Sequence, residues 1–335
     1  MKIEQSGSVR IDLLGGTLDL EPINLILRDV VTLNIATSLK AVVKIEKTDF
    51  DGIEIESIDY NVKKQIPKSE MTKDNLLSGK FEALSFVLQI IDLFNLSNIK
   101  ITLKSGSPAG AGLGGSSSMG VTLYSALCKY TNQTLNRLEA INKVRSIEGR
   151  ILDCGPAGYQ DYYPALFGGI LALEAQVGEV KVHQLFTEEF SQFINSHLTL
   201  VYSGQTRHSG INNWEVYKGF YDDRDNTRKG LEEIALLSKN AFESIQNKNY
   251  EEFLENLKKE GEVRKKLFPG IVSSEMDSLY NNIRKDVSDL GMKVCGAGGG
   301  GCFILAHKAQ EKDIVSKKVS ELGMTVLDFE VDSPI

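Results

Sequence analysis

What most constrains this chain is a run of eleven residues, Pro108-Ala109-Gly110-Ala111-Gly112-Leu113-Gly114-Gly115-Ser116-Ser117-Ser118, set between an apolar strand-like segment and a segment of helical periodicity. Glycines at this density let the backbone approach a bulky anion. A helix opening near Ser117 adds unpaired N–H groups and the positive end of its dipole. The hydroxyls of Ser116, Ser117 and Ser118 supply further donors to phosphate oxygens and a ligand for Mg²⁺. A strand-to-helix turn whose serines only cap the helix would use the same residue types, so the loop has to be read with its surroundings.

Those surroundings exclude two common phosphate loops. Gly110-x-Gly112-x-x-Gly115 has the dinucleotide spacing, but that fingerprint needs a βαβ unit and an acidic residue closing its second strand. Here one helical pattern, Ser117 to Tyr130, is followed by another, Asn136 to Leu152, with no acidic residue in Lys129-Tyr130-Thr131-Asn132-Gln133-Thr134. A Walker loop is missing too, because no lysine follows the glycines in Gly-Lys-Ser/Thr form.

The rest of the chain predicts an α+β architecture. Alternation at 41–46 and 52–57 within the first hundred residues reads as a half-buried antiparallel sheet, followed by a helix over 80–94 and a strand over 98–104. Beyond Gly168 the pattern gives strands at 169–173, 179–185 and 197–202, helices at 228–246, 250–267 and 273–290, and a strand at 302–306. Since 335 residues exceed what one core usually supports, two lobes are expected, meeting between Gly169 and Ser203 and taken as residues 1–185 and 186–335. A net charge of −7 without any basic run argues against nucleic acid as partner. No apolar run reaches the roughly 18 residues of a membrane span, and the polar start differs from a leader peptide, which predicts a cytoplasmic protein with no membrane partner. Cys128, Cys154, Cys295 and Cys302 lack CxxC spacing and the four histidines are scattered, so the cysteines are expected as small buried side chains, not as disulfides or zinc ligands.

Pro-x-Gly-x-Gly-Leu-Gly-Gly-Ser-Ser resembles the second motif of the GHMP kinases, the family of galactokinase, homoserine kinase, mevalonate kinase and phosphomevalonate kinase. Arg10-Ile11-Asp12-Leu13-Leu14-Gly15-Gly16-Thr17-Leu18-Asp19 is similar to the first motif of its sugar kinases, and Gly296-Ala297-Gly298-Gly299-Gly300-Gly301-Cys302-Phe303 to the third. The resemblance implies a two-lobed GHMP kinase fold, with an N-terminal lobe of the ribosomal protein S5 domain 2-like type, a ferredoxin-like C-terminal lobe and the active site in the cleft between them. It implies an ATP- and Mg²⁺-dependent phosphotransferase with an alcohol acceptor. Pro108, Gly110, Gly112, Leu113, Gly114, Gly115, Ser116, Ser117 and Ser118 would then hold the nucleotide, and Glu148 with Ser116 the metal. The segment Gly158-x-Gln160-Asp161-Tyr162-Tyr163-x-Ala165-x-x-Gly168-Gly169 is similar to the one that carries the catalytic aspartate, which makes Asp161 the base. Arg10 is expected beside it, stabilising charge on the transferring group. Gly16, Thr17, Asp19, Arg207, Gly298 and Gly299 fall on the acceptor side.

Within the family, Tyr202-Ser203-Gly204-x-x-Arg207-x-Ser209 most resembles the kinases that phosphorylate the anomeric hydroxyl of D-glycero-D-manno-heptose 7-phosphate, together with the fucose kinases. Tyr162 and Leu18 depart from the Asp-Gln-Tyr and Gly-Gly-Thr-Asp of the heptose branch. Galactokinases usually read Met-Asp-Gln and Gly-Glu-His-Thr-Asp at the same places. Galactose and small alcohols such as mevalonate therefore stay open as acceptors, and an NAD-dependent oxidoreductase is the reading left by the dinucleotide spacing alone.

Overall fold

The computed structural model describes residues 2–59, 61–152, 157–205 and 212–335. Two long antiparallel strands, β1 (Lys2–Leu14) and β2 (Val31–Lys47), form the spine, joined through a short helix α1 (Ile23–Ile26). Next come β3 (Gly52–Ser57), β4 (Val62–Pro67), α2 (Lys73–Leu77), α3 (Ser85–Asp92) and β5 (Ile99–Lys104). The first lobe continues through α4 (Gly115–Tyr130), α5 (Arg137–Leu152), α6 (Tyr163–Phe167), β6 (Ile170–Gln176) and β7 (Glu179–Gln184). Its seven strands run in the order β4-β3-β5-β2-β6-β7, with β1 paired to β2.

The second lobe is built from α7 (Glu188–His197), β8 (Leu198–Tyr202), α8 (Asn213–Asp222), α9 (Thr227–Gln246), α10 (Tyr250–Leu267), α11 (Ser274–Ile283), β9 (Gly291–Val294), β10 (Cys302–Ala306), α12 (Lys312–Glu321) and β11 (Thr325–Val326). Its four strands form an antiparallel sheet in the order β11-β8-β10-β9.

Alternation decides which face each strand buries. Val43 and Ile45 of β2 turn inward and, with Ile101 of β5, pack against Leu88 of α3, Leu123 and Leu127 of α4 and Val144 of α5. A second core is shared between the lobes: Val9, Ile11 and Leu13 of β1 meet Leu198 and Leu200 of β8, Ile304 of β10, and Phe253 and Leu257 of α10. The lobes are thus joined through β1, the strand that carries Arg10 and Asp12. Irregularities in the β1–β2 pairing between Ser8 and Arg10 and between Asp12 and Leu14 flank both polar residues, as expected where a strand re-aims side chains toward a site.

Several elements differ from the sequence reading. β3 pairs with β5 in parallel, not antiparallel, because the intervening chain crosses over through β4, α2 and α3. The helix expected over 80–94 opens as a tight 3₁₀ turn, Glu82–Leu84, before α3. α11 stops at Ile283 instead of continuing to Leu290, where Asp286, Ser288 and Asp289 are poor helix formers. Helices α7 and α8 were not read from the sequence, although α7 has a visible start signal: the Thr187 hydroxyl accepts the Phe190 N–H, and Glu188 and Glu189 fill its first turn. Cys128, Cys295 and Cys302 are buried, and Cys154 lies outside the described residues. Among the described residues no helix is long and apolar enough to cross a membrane.

Candidate active site

The glycine loop joins β5 to α4 at the edge of a cleft of about 700 Å³. Gly114 takes a left-handed backbone (φ 67°) at the start of α4. A Cβ there would lie 3.2 Å from Cβ and Cγ of Asp161, so the loop backbone rests directly on that carboxylate. The Ser118 N–H donates to the Gly114 carbonyl at 2.9 Å, closing the first helical turn. Gly115, Ser116 and Ser117 at the open end of the helix line the cleft. The third glycine segment docks behind: the Cys302 N–H donates to the Ala111 carbonyl at 2.7 Å.

Arg10 and Asp161 come together as expected. The Arg10 Nε and Nη2 both reach Asp161 Oδ1, at 2.8 and 2.7 Å, and Nη1 donates to the Gly112 carbonyl. Arg10 is 3% exposed and Asp161 30%, so the carboxylate faces the cleft while the cation stands behind it. Burial alone would lower the Arg10 pKa, but Asp161 and Asp12 outweigh it and the guanidinium is held above its ordinary value.

Glu148 sits on the buried stripe of α5 with Ala140, Ile141, Val144 and Ile147, which explains how a helix carries a carboxylate inward. Its Oε2 accepts from the Ser117 hydroxyl at 2.7 Å and from the Tyr162 hydroxyl at 2.6 Å. Burial pushes its pKa up, and the hydroxyls of Tyr162, Ser117 and Ser116 offset only part of that. The oxygen donors Glu148, Ser116 and Ser117 fit Mg²⁺, a hard cation usually held by one or two carboxylates and completed by phosphate and water. Among the described residues no group of three or more His, Cys, Asp or Glu forms a closed metal cage.

Asp19 lies deeper. It accepts the Gln160 N–H at 3.0 Å, and a Cβ on Gly158 would come within 2.1 Å of its Oδ2. Burial, then the nearby Asp161, push its pKa up to about 6. The cleft walls divide by chemistry: Phe81, Leu84, Phe86, Val87, Leu103 and Met119 are apolar, whereas Thr17, Asp19, Gln160, Asp161 and Asn213 are polar.

Several expected site residues do other work. Ser118 is fully buried, and its hydroxyl donates to the carbonyls of Gly7 and Ser8, so it anchors α4 to β1 and gives no donor to the cleft. Leu113 points into the shared core, where its carbonyl accepts the Arg10 N–H at 2.9 Å. Gly16 packs against Asp12 and Arg264, because a Cβ there would be 2.1 Å from Asp12 Oδ2. Gly298 and Gly299 face Ile271, the Gly299 N–H donating to its carbonyl at 2.9 Å, while Gly296 and Ala297 are the members of that turn that line the cleft. Arg207 lies outside the described residues.

A buried, charged group that the sequence reading missed lies at the base of the cleft: Asp12, which lines it, with Glu260, Arg264 and Lys293 behind. The available signal was the position of Glu260 and Arg264, four apart, on the apolar stripe of α10 with Phe253 and Leu257.

A two-lobed α+β fold sets a glycine loop against a carboxylate–arginine pair across one cleft, and comparison with known proteins shows what it is similar to. Residues 81–169 match the family model of the GHMP kinases N terminal domain. The chain is 26% identical to an L-fucokinase/L-fucose-1-P guanylyltransferase of Bacteroides fragilis over 342 aligned residues, 93% of this chain and 35% of that one. It spans about a third of the length of that curated relative. The crystal structure of the Methanococcus jannaschii mevalonate kinase superposes with a TM-score of 0.75 at 21% identity, covering 99% of this chain and 98% of that one. A D-glycero-D-manno-heptose 1-phosphate kinase of Bacteroides thetaiotaomicron gives 0.74 at 22%, covering 100% and 97%. Residues 81–169 thus match the N-terminal domain of the GHMP kinases, and the chain shares the fold of these kinase structures over nearly its whole length.

Proposed function

We propose that this chain is an ATP- and Mg²⁺-dependent phosphotransferase that acts on a sugar hydroxyl, with the anomeric hydroxyl of a heptose 7-phosphate or of fucose as the leading acceptor. The observation that carries the reading is the contact between the Gly114 backbone and Asp161, which brings a phosphate loop and a carboxylate within reach of one reacting pair. The heptose kinase and fucokinase named among its relatives support a sugar as acceptor. A cytoplasmic setting fits such a substrate.

Asp161 accepts the proton of the acceptor hydroxyl while that oxygen bonds to the γ-phosphorus and the β–γ bridging bond breaks to release ADP. Arg10 holds Asp161 by two nitrogens and adds positive charge where the transferring group gathers negative charge. Gly110 to Ser117 would cradle the polyphosphate with backbone amides, and the apolar wall of Phe81, Leu84, Phe86 and Val87 suits the nucleobase. Glu148, Ser116 and Ser117 would hold Mg²⁺, which supplies charge neutralisation of the polyphosphate. Thr17 and Asp19 offer acceptors for sugar hydroxyls, and Arg207 is the candidate cation for an acceptor that already bears a phosphate. The two lobes are assigned to residues 1–185, which hold the nucleotide, and 186–335.

The test is ADP release from ATP with Mg²⁺ against heptose 7-phosphates, fucose, galactose and mevalonate, using the wild type and Asp161→Asn. A heptose phosphate or fucose should turn over, and the variant should lose about 10² to 10⁴-fold in kcat while its KM for ATP stays within a few-fold. Full activity in Asp161→Asn would remove Asp161 from the base role, and turnover of mevalonate alone would replace the sugar.

A further inference from the structure

Asp12, which lines the cleft, and Glu260 and Lys293 behind it are each 0% exposed and Arg264 2%, where a charge without a partner would be costly. Lys293 Nζ lies 3.1 Å from both Oδ2 and the carbonyl oxygen of Asp12, and 3.7 Å from Glu260 Oε1. The remaining contacts go to the turn Gly15–Thr17 and to Gly296. The Gly15 N–H donates to Glu260 Oε2 at 2.8 Å. Arg264 Nη1 donates to the Gly16 carbonyl at 2.6 Å and to Thr17 Oγ1 at 3.3 Å, and Nη2 to the Gly296 carbonyl at 3.1 Å.

Glu260 and Arg264 come from α10 and Lys293 from β9, all in the second lobe, whereas the turn they grip belongs to the first. Close approach is built in: a Cβ on Gly261 would lie 2.1 Å from the Met292 carbonyl, so glycine is what lets α10 lie against β9. Buried ions of this kind often stabilise no more than apolar side chains of equal volume, so the gain to be explained is geometric. Thr17 and Asp19, which end the gripped turn, line the cleft, and Glu260, Arg264 and Lys293 do not.

We infer that Glu260, Arg264 and Lys293 are positioning residues, a clamp by which the second lobe fixes the turn Gly15–Thr17 and so the placement of Thr17 and Asp19 toward the acceptor. The consequence for the acceptor rests on the phosphotransferase reading, but the clamp itself can be measured without turnover.

The experiment combines amide hydrogen exchange over residues 13–20 of the full chain with separate KM values for acceptor and ATP, in Glu260→Met, Arg264→Met, Glu260→Gln and Arg264→Lys. Both methionine variants should exchange at least tenfold faster at Gly15–Thr17 and show a KM for the acceptor raised about tenfold, with the KM for ATP within twofold, as loss of a charged hydrogen bond implies. Glu260→Gln keeps an oxygen for the Gly15 N–H and should stay within about threefold of wild type. Arg264→Lys keeps the charge without the fork and should fall between. Unchanged exchange in a folded methionine variant, or a parallel rise of both KM values, overturns the clamp. Should the methionine variants not fold, wild-type exchange in Arg264→Lys overturns it equally. If the wild type turns over none of the alcohols, the phosphotransferase reading fails and the exchange data alone decide the clamp.

Discussion

At the scale of single residues, the site's chemistry depends on carboxylates held at unequal cost. Asp19 is buried beside Asp161 with its pKa raised to about 6, against 3.8 for an ordinary aspartate. The sign follows from linkage: the protonated form is favoured in the fold, so the stability Asp19 contributes is complete below about pH 4 and is lost as pH rises through 6. Above that it costs on the order of 2 to 3 kcal/mol. Asp19→Asn should therefore raise Tm by several degrees at pH 8 and by nothing measurable at pH 4, in thermal melts of the unliganded protein. The same variant should weaken acceptor binding, because an ionised carboxylate is the stronger acceptor for sugar hydroxyls. Equal Tm gains at both pH values would show that the penalty is not the buried charge. Tyr162, a departure from the heptose-kinase pattern, also gains a reason at this scale, since its hydroxyl is one of two that donate to Glu148 Oε2.

Elements determine how tightly the glycine segments meet. Gly301 has a φ of +76°, and a Cβ there would be 2.7 Å from the Ala111 carbonyl and 2.8 Å from that of Gly110. Both contacts are backbone, so neither can swing away. Gly301→Ala should cost about 1 to 3 kcal/mol and raise the KM for ATP several-fold by pushing the phosphate loop out of place. Chemical denaturation and steady-state kinetics check the two parts, and an unchanged KM with lowered stability would mean the loop does not depend on this support. The run at 110–115 was legible because glycine density itself signals close backbone approach. Which glycines face the ligand was not legible. Gly298 and Gly299 differ from Gly296 only in where the turn points them, toward Ile271 instead of into the cleft.

Across the whole molecule, ligand and fold are linked, because the cleft draws its walls from both lobes: Arg10, Asp161 and the glycine loop from the first, and Asn213, Gly296 and Ala297 from the second. A nucleotide bound there should stabilise the entire chain. ATP with Mg²⁺ at about 100 times its Kd should add about 2.7 kcal/mol and raise Tm by several degrees, while NAD at equal concentration leaves it unchanged. Stabilisation by NAD and not by ATP would revive the oxidoreductase reading, although α4 is followed directly by α5, without the second strand of a dinucleotide fold. The sequence by itself determined the α+β class, the four longest helices, most strands and the glycine-rich strand-to-helix turn, since each rests on local periodicity or glycine spacing, whereas Arg10, Glu148 and Asp161 were singled out by the resemblance of contiguous motifs. Only the tertiary structure decided the parallel β3–β5 pairing, the turning away of Ser118 and Leu113, and the joining of Asp12 to Lys293 across 281 positions of chain. The physical reason is that a hydrogen bond or ion pair between distant segments leaves no periodic trace. It arises when β1, α10 and β9 pack into one core and their buried charges must find partners there.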